Sequence, residues 1–402
     1  MTGPLSGTRV IDLTTMISGP LSTMMLADQG ADVVKVESPQ GDHSRKVATR
    51  RGGFSASFLN NNRNKRSIVL DLKKPAGLAA LYKLIEDADV FVQNFRPGVA
   101  ERIGIGEKTL REINSDLITV SICGFGFTGP YAQKPVFDPL IQAVSGLTTV
   151  QAGSDQQRPR LVRTIVPDKI TALQTSQAIT AALYARLKTG IAQHINISML
   201  DTVVFFLWSS DMGGHTFVGD ELKQETAQSY IDLVYETKDG YISVAVVADK
   251  DWRGLSKAVE RPDFLQDSRF TTAALREENK DARTRLTQEA LLKFKSRELL
   301  SRLESQDVPC APVLTRREMI RHPQIDANQT LLETTHPSAG TLRQAKQPAQ
   351  FSVTSIESPS SAPALGQHTV EVLTQAGFTE QQIKELTESG AAIPATDSTS
   401  NH

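Results

Sequence analysis

The first 125 residues alternate between short apolar runs and longer segments whose apolar residues recur at helical spacing. The runs RVIDLT, ADVVKVE, DVFVQNF and LITVSICGF predict strands, because apolar and β-branched residues dominate them. Between these runs, LSTMMLADQG stops at Gly30 and KPAGLAALYKLIEDA starts near Pro75, and both positions are typical helix boundaries. Strands that alternate with helices predict βαβ units, and so an α/β domain with a mostly parallel sheet.

The rest of the chain is patterned less regularly. We predict a long helix over about 168–188, a strand and helix in QHINISMLDTVVFFLW, and one basic amphipathic helix in ARTRLTQEALLKFKSRELLSRLES. GYISVAVVADKDWRGLSKAVE predicts a strand and a helix, and VPCAPVLT predicts a strand. We therefore expect 1–210 to form most of a large domain and 215–325 a small α+β domain. Residues 326–390 are rich in Pro, Ser and Thr before a short closing helix, and 391–402 are expected to be a flexible tail.

The composition of the chain excludes several classes of partner and location. The chain has 402 residues and a formal net charge of −1, so no overall field attracts nucleic acid or an anionic membrane. The start of the chain lacks the basic and apolar regions of a signal peptide, and MLDTVVFFLW is too short to span a bilayer. The two cysteines exclude a disulfide framework. We expect a cytoplasmic protein without a nucleic-acid or membrane partner.

Several common catalytic motifs are missing. The segment after the first strand is TTMISGPLS, which is not the glycine fingerprint of a dinucleotide-binding fold, and no Walker motif is present. The sequence contains no G-x-S-x-G elbow. None of the seven histidines stands at a metal-ligand spacing. We expect neither a metal site nor a tightly bound cofactor.

Positive charge is concentrated early in the chain. The window from His43 to Leu70 has no acidic residue, and it carries seven cations, Arg45, Lys46, Arg50, Arg51, Arg63, Lys65 and Arg66. The window is either a solvated basic face or a phosphate site, because guanidinium and amide donors suit phosphate. Asn94 and Arg96 also follow a strand end, where open α/β sheets bind ligands. A polyphosphate ligand without a glycine-rich loop suggests coenzyme A.

A single carboxylate stands at the start of the predicted long helix. Asp168 has two possible roles, because an aspartate here can cap the helix or can point into a cleft as a nucleophile. Glycines 124, 126 and 129 follow another strand and are likewise open to two interpretations. They either form turns or present N–H groups to a developing oxyanion.

The chain resembles the class III CoA-transferases of the CaiB/BaiF family. The similarity runs in order through GTRVIDLT, GPLSTMMLADQGADVVKVESPQGD, NRNKRSIVLDLKKPAG, ADVFVQNFRPGVAERIGIG, SICGFGFTGPYAQKPVFD, QHINISMLD, DGYISVAV and SAPALGQHT. The resemblance implies a Rossmann-like large domain that binds CoA, completed by 326–390, and two chains interlocked as a homodimer. It implies that Asp168 is the nucleophile, and that the CoA-binding residues are Arg45, Asp71, Lys73, Asn94, Arg96 and Arg102.

The implied reaction moves CoA from an acyl-CoA to a small carboxylic acid. Three departures from the family leave alternatives. TGIAQH replaces the usual T-G-R-G-Q, and only Gly213 and Gly214 suggest a glycine-rich lid. The family's racemases have a His after the glycine strand, where this chain reads KPVFDP. The alternatives are an acyl-CoA racemase or epimerase of the same fold and a CoA-binding protein that has lost catalysis.

Overall fold

The computed structural model describes residues 3–47, 49–219, 233–354 and 359–395. The chain divides into two compact units. One unit comprises 1–226 together with 330–402, and the other comprises 227–329.

The first unit is built on a parallel sheet. Its strands up to residue 198 are β1 (Arg9–Asp12), β2 (Asp32–Glu37), β3 (Arg50–Arg51), β4 (Phe54–Ser55), β5 (Lys65–Val69), β6 (Val90–Gln93), β7 (Ile118–Cys123) and β8 (His194–Ser198). Within the described residues, six of them pair in parallel in the order β5-β2-β1-β6-β7-β8, and β3 and β4 form a small antiparallel pair. The predicted α/β class with a parallel central sheet is confirmed. The strand order reverses between β1 and β6, and in doubly wound sheets ligands bind outside the carboxyl ends at such a point.

Helices cover both faces of this sheet. They are α1 (Ser18–Asp28), α2 (Ala56–Asn61), α3 (Pro75–Ile85), α4 (Val99–Arg102), α5 (Glu107–Ile113), α6 (Asp138–Val144), α7 (Leu147–Ala152), α8 (Val166–Thr189) and α9 (Met199–Trp208). On one face Leu81 and Leu84 of α3 are buried in a cluster with Phe91, and on the other Ile179 of α8 packs with Val120. Each such side chain contributes about 1.5–3 kcal/mol on burial. The two clusters fix the helices that frame the carboxyl ends of the strands.

The second unit pairs a small antiparallel sheet with helices. Its elements are β9 (Val234–Glu236), β10 (Tyr241–Val244), α10 (Asp249–Ala258), α11 (Ala273–Glu278), α12 (Lys280–Leu291), α13 (Ser296–Glu304), β11 (Cys310–Pro312), α14 (Arg316–Met319) and α15 (Pro323–Ala327). The prediction of one helix across α12 and α13 is wrong. The Phe294 carbonyl accepts a hydrogen bond from Lys238 N–H, and the Asp239 carboxylate accepts one from Ser296 N–H. These bonds draw the chain out of helical geometry.

The chain then returns to the first unit. It forms the hairpin β12 (Leu331–His336) and β13 (Gly340–Ala345), followed by α16 (Thr369–Gln375) and α17 (Glu380–Glu388). The hairpin was not predicted, and the single closing helix predicted from the sequence is two helices separated by Gly377, whose φ is 86°.

The predicted flexible tail is wrong at its start. Ala391 and Ala392 are buried in the core cluster of α3, the Ala391 carbonyl accepts a hydrogen bond from Asp71 N–H, and Ala392 forms a β-bridge with Leu70. The rest of the predicted tail, 396–402, lies outside the described residues, as does 220–232. Among the helices of the described ranges, none has the length and apolar character needed to cross a membrane.

Candidate active site

The loops after β1 and β6 meet at the reversal of strand order. Asn94, directly after β6, bonds both backbone groups of Thr15. Its Oδ1 accepts from Thr15 N at 3.0 Å, and its Nδ2 donates to Thr15 O at 2.8 Å. The predicted site residue Asn94 therefore fixes the turn after β1 with its side-chain amide.

Asp168 lies at the start of α8, but it does not cap the helix. The N-cap is Ile165, without a side-chain cap bond, and Asp168 is the third helical residue. Its backbone N–H donates to Asp138 Oδ2 at 3.3 Å. The capping hypothesis is therefore wrong. The carboxylate is half-buried at the positive end of a long helix, where a negative charge is favoured.

The surroundings of Asp168 make its carboxylate unusually basic. Burial and the negative charge of Asp138 raise its pKa from 3.8 to about 6, whereas the backbone amide and hydroxyl of Ser18 act to lower it. Ser18 is the first residue of α1 and is 4% exposed. At pH 7 roughly nine-tenths of a group with this pKa is ionised. Asp168 thus combines charge with raised basicity, which suits a nucleophile.

A second carboxylate, which the sequence analysis did not identify, supports the first. Asp138 begins α6 and is 4% exposed, and its Oδ1 accepts from Gln142 Nε2 at 2.6 Å. Burial raises its pKa, against the hydrogen bonds from Gln142 and from Asp168 N–H and the charge of Lys169. Asp138 lies within the KPVFDP segment, which was compared with the racemases only for its lack of a histidine.

Gln142 connects this pair to the chain that enters α8. It is 2% exposed; its Oε1 accepts from Val162 N at 2.9 Å, and its Nε2 lies 3.3 Å from Thr164 O. A buried amide thus fixes both Asp138 and the segment four to six residues before Asp168. The position of the carboxylate is set by side-chain contacts from α6 as well as by its own helix.

The glycines after β7 form a tight turn. Gly126 has a φ of 109°, a conformation that other residues rarely adopt. Gly124 has no room for a side chain, because an added Cβ would lie 2.5 Å from Val136. The turn interpretation is therefore sufficient for Gly124 and Gly126, and their role toward an oxyanion stays a prediction.

The predicted coenzyme residues differ in whether their side chains already have partners within the protein. The exposed side chains of Lys73, Arg96 and Arg102 make no hydrogen bond or ion pair with the described part of the chain. Asp71 Oδ1 accepts from Lys73 N at 3.1 Å, so Asp71 shapes the turn that carries Lys73. These cations follow β5 and β6 and remain available to a polyphosphate.

Arg45 requires a correction. Its Nε and Nη2 donate to Glu37 at 2.8 and 2.6 Å, and its Nη1 donates to the Pro363 carbonyl at 3.0 Å. The guanidinium also lies 3.6 Å from the centre of the Phe58 ring. Its nitrogens are already bonded, so we assign Arg45 a structural role rather than the predicted phosphate contact.

Other nucleophiles are less suitable than Asp168. Burial raises the pKa of Cys123 to about 11 and also raises the pKa of Cys310, so neither thiol ionises at neutral pH. Within the described residues, no group of three or more His, Cys, Asp and Glu side chains could hold a metal ion.

Comparisons with known proteins identify the family. The sequence pattern of CoA-transferase family III matches residues 5–369. The chain is 33% identical to the succinate–glutarate CoA-transferase of Agrobacterium fabrum strain C58, over 92% of this chain and 95% of that protein. It is 35% identical to the succinyl-CoA:mesaconate CoA-transferase of Haloarcula hispanica, over 93% of this chain and 97% of that protein.

A solved structure agrees with these matches. The crystal structure of a CaiB/BaiF family protein from Brucella suis superimposes with a TM-score of 0.81 at 29% identity. The match covers 94% of this chain and 100% of that one. The sequence-based recognition is confirmed, and the chain belongs to CoA-transferase family III.

Proposed function

We propose that this enzyme transfers CoA from an acyl-CoA thioester to a free carboxylic acid through a covalent intermediate on Asp168. The observation that supports this most directly is the basic, half-buried Asp168 carboxylate beside Ser18. A carboxylate that is already ionised needs no separate base to attack a carbonyl.

The proposed steps balance without a net proton transfer. An Asp168 oxygen attacks the thioester carbonyl, the C–S bond breaks, and CoA thiolate leaves an aspartyl anhydride. The thiolate then attacks the aspartyl carbonyl, which releases the first acid as its carboxylate and leaves an Asp168–CoA thioester. The acceptor carboxylate repeats the two steps in reverse, so the thioester is conserved if water is excluded.

We propose that Lys73, Arg96 and Arg102 bind the phosphates of CoA. All three are exposed and have no partner in the described residues, as a phosphate site in the free enzyme requires. Asn94 positions the turn after β1, and Asp71 positions Lys73. In this proposal the first unit, 1–226 with 330–402, is the CoA-binding domain, and the second unit, 227–329, is the small domain that was expected over 215–325.

The acid substrates are proposed to be short dicarboxylic acids, as the names of the two relatives indicate for those proteins. When a dicarboxylic acid binds, the charges of Asp168 and Asp138 repel its distal carboxylate, so the site needs a cation to offset this repulsion. Lys169 follows Asp168 directly, its charge acts on Asp138, and its Nζ lies 2.8 Å from Thr164 Oγ1. Lys169 is therefore our candidate for the cation that binds the distal carboxylate of the acid.

We further propose the interlocked homodimer that the family resemblance implies. The first unit has an apolar surface groove of about 1110 Å³ along α8 and α9. Leu173, Tyr184, Phe205 and Phe206 line it, and each is at least 49% exposed. A contiguous apolar surface of this kind commonly marks an interface, and a second copy of this chain is the proposed partner. The cytoplasmic location stays a prediction.

The covalent intermediate can be tested by mass spectrometry. The enzyme is incubated with succinyl-CoA without an acceptor, treated with hydroxylamine, digested, and searched for a modified peptide. We expect modification on Asp168, and Asp168→Asn should lose both the modification and CoA transfer. An adduct on another peptide, or near-normal turnover by Asp168→Asn, would contradict the proposal.

Asp201 offers a matched control. It is the third residue of α9, as Asp168 is of α8, so both stand in the first turn of a helix. Asp201→Asn should keep the adduct and the turnover. Deuterium entering the α-carbon of an acyl-CoA without an acceptor would indicate racemase activity, and CoA-ester binding without turnover would indicate a binding protein.

A further inference from the structure

The turn between β1 and α1 holds a residue in an unfavourable backbone conformation. In this Thr14–Ser18 turn, Met16 has a φ of 70°. A non-glycine residue in the left-handed region is strained, so its surroundings must hold it there. The turn ends at Ser18, whose amide and hydroxyl act on the Asp168 carboxylate. The conformation at Met16 therefore bears on the proposed nucleophile.

A buried ion pair contacts the turn at two points. Asp42 is 1% exposed, and its Oδ1 accepts from Met16 N at 3.1 Å. Its other oxygen lies 3.0 Å from Lys35 Nζ, which donates to Thr14 O at 2.7 Å. Asp42 and Lys35 thus bind the backbone on both sides of Thr15.

Both partners stay charged at ordinary pH. Burial alone would lower the pKa of Lys35, but the carboxylates of Asp12, Asp42 and Glu37 outweigh burial and raise it. Burial alone would raise the pKa of Asp42, but Lys35 and several N–H donors outweigh burial and lower it. The contacts of the pair with the Thr14–Ser18 turn therefore do not change over the ordinary pH range.

We propose that Asp42, with Lys35, is a positioning residue that holds the Thr14–Ser18 turn so that Ser18 faces the Asp168 carboxylate. The inference rests on the proposed role of Asp168 as nucleophile. Stability alone does not account for the pair, because replacing a buried ion pair with apolar residues is often neutral or stabilising. An apolar pair, however, cannot accept the Met16 N–H.

Two double variants test the Asp42 Oδ1 acceptor, which receives the Met16 N–H and also the Ser44 N–H at 2.8 Å. Lys35→Met with Asp42→Asn removes both charges and keeps an amide oxygen for Met16. Lys35→Met with Asp42→Leu removes the charges and the oxygen. Neither leaves an unpaired buried charge, and both lose the Lys35 bond to Thr14.

We expect the Leu variant to have a kcat about ten- to a hundredfold below that of the Asn variant, as misplaced catalytic groups typically cause. Its acidic limb in the pH profile should lie at higher pH, because the Ser18 contacts that lower the pKa of Asp168 are lost. A residue that only stabilises the fold would not move this limb. Adding Met16→Gly to the Leu variant should restore part of kcat, since glycine adopts the left-handed conformation freely.

Equal kcat values and equal pH limbs in the two double variants would overturn the inference. If either variant fails to fold, Ser18→Ala provides the test, and an acidic limb unchanged from the wild type would overturn the inference. Failure of the proposed function looks different, because then the wild type itself forms no adduct on Asp168. If the wild type forms the adduct and both double variants form it at the wild-type rate, only the positioning role fails.

Discussion

Asp138→Asn removes the negative charge beside Asp168 and keeps the shape of the side chain. The pKa of Asp168 is raised from 3.8 to about 6, which corresponds to about 3 kcal/mol in favour of the neutral form. Burial is the larger cause, and the charge of Asp138 is the second. Removing this charge should lower the pKa of Asp168 by on the order of one unit, or about 1.4 kcal/mol. The acidic limb of the pH profile of CoA transfer should move to lower pH by the same interval.

The assay is kcat/KM for CoA transfer from succinyl-CoA to glutarate as a function of pH, since this ratio reports the free enzyme. The phosphates of CoA and the acids titrate in the same range, so each profile is compared with that of Asp201→Asn, which leaves the substrate titrations unchanged. The amide introduced by Asp138→Asn keeps one oxygen for either Gln142 or the Asp168 N–H, so we also expect a smaller kcat at high pH. The rate of adduct formation on Asp168 should show the same limb.

An unchanged limb would refute the reasoning, because it would mean that Asp168 does not sense the charge of Asp138 or that another group controls the profile. A limb that moves to higher pH would refute it more strongly. That outcome would show that the Asp138 contacts to the start of α8 favour the ionised Asp168 by more than the two charges repel.

Three further outcomes follow from the structure. Asp168→Asn should raise the free energy of unfolding by up to about 3 kcal/mol at pH 7, measured by urea titration. The pKa of Asp168 is higher in the folded state than in the unfolded state, so the wild type loses stability as pH rises from 3.8 through about 6. The advantage of the Asn variant should therefore vanish near pH 4. Arg102→Ala should weaken CoA-ester binding by about 1.5–3 kcal/mol in calorimetry. Arg45→Ala should cost about 3–5 kcal/mol of stability, because the buried Glu37 carboxylate loses its ion pair with the guanidinium and keeps the hydrogen bonds from Ser67 and Asp42. The reverse pattern would contradict both assignments. Phe205→Asp should shift the sedimentation profile toward monomer, and an unchanged dimer would remove that groove from the interface.

The hydrophobic pattern predicted the parallel sheet well. Strands β1, β2, β6 and β7 are buried on both faces, as strands between helices must be, and their apolar residues are readable from a single sequence. The hairpin β12–β13 was missed because LLETTH and GTLRQA are mostly polar and lie in a segment rich in turn-forming residues. The break between α12 and α13 was missed because KFKS contains no Gly or Pro, and bonds to Lys238 and Asp239 impose it.

The site was predictable where its chemistry lies at strand ends and helix starts. Among the proposed site residues, Asp168 and Asn94 could be placed in this way, because the carboxyl ends of parallel strands meet at one edge, whereas Lys73 was implied by the family resemblance. Asp138 was not recognised, since its role depends on contacts with Gln142 and with the start of α8, thirty residues away. No local pattern specifies that contact.

The basic window shows why charge alone could not locate the proposed phosphate site. Its lack of acidic residues suggested free cations, but the partners come from earlier in the chain: Arg63 binds Asp28, Lys65 binds Asp12 and Arg66 binds Asp32. The parallel pairing of β5 with β2, and of β2 with β1, brings these charges together. A buried cation needs such a partner, whereas a cation that awaits phosphate must lie exposed without one. Exposure without a partner at a strand end, as for Arg96, is therefore the property that separates the proposed coenzyme ligands from structural cations, and it becomes visible only when the order of the strands is known.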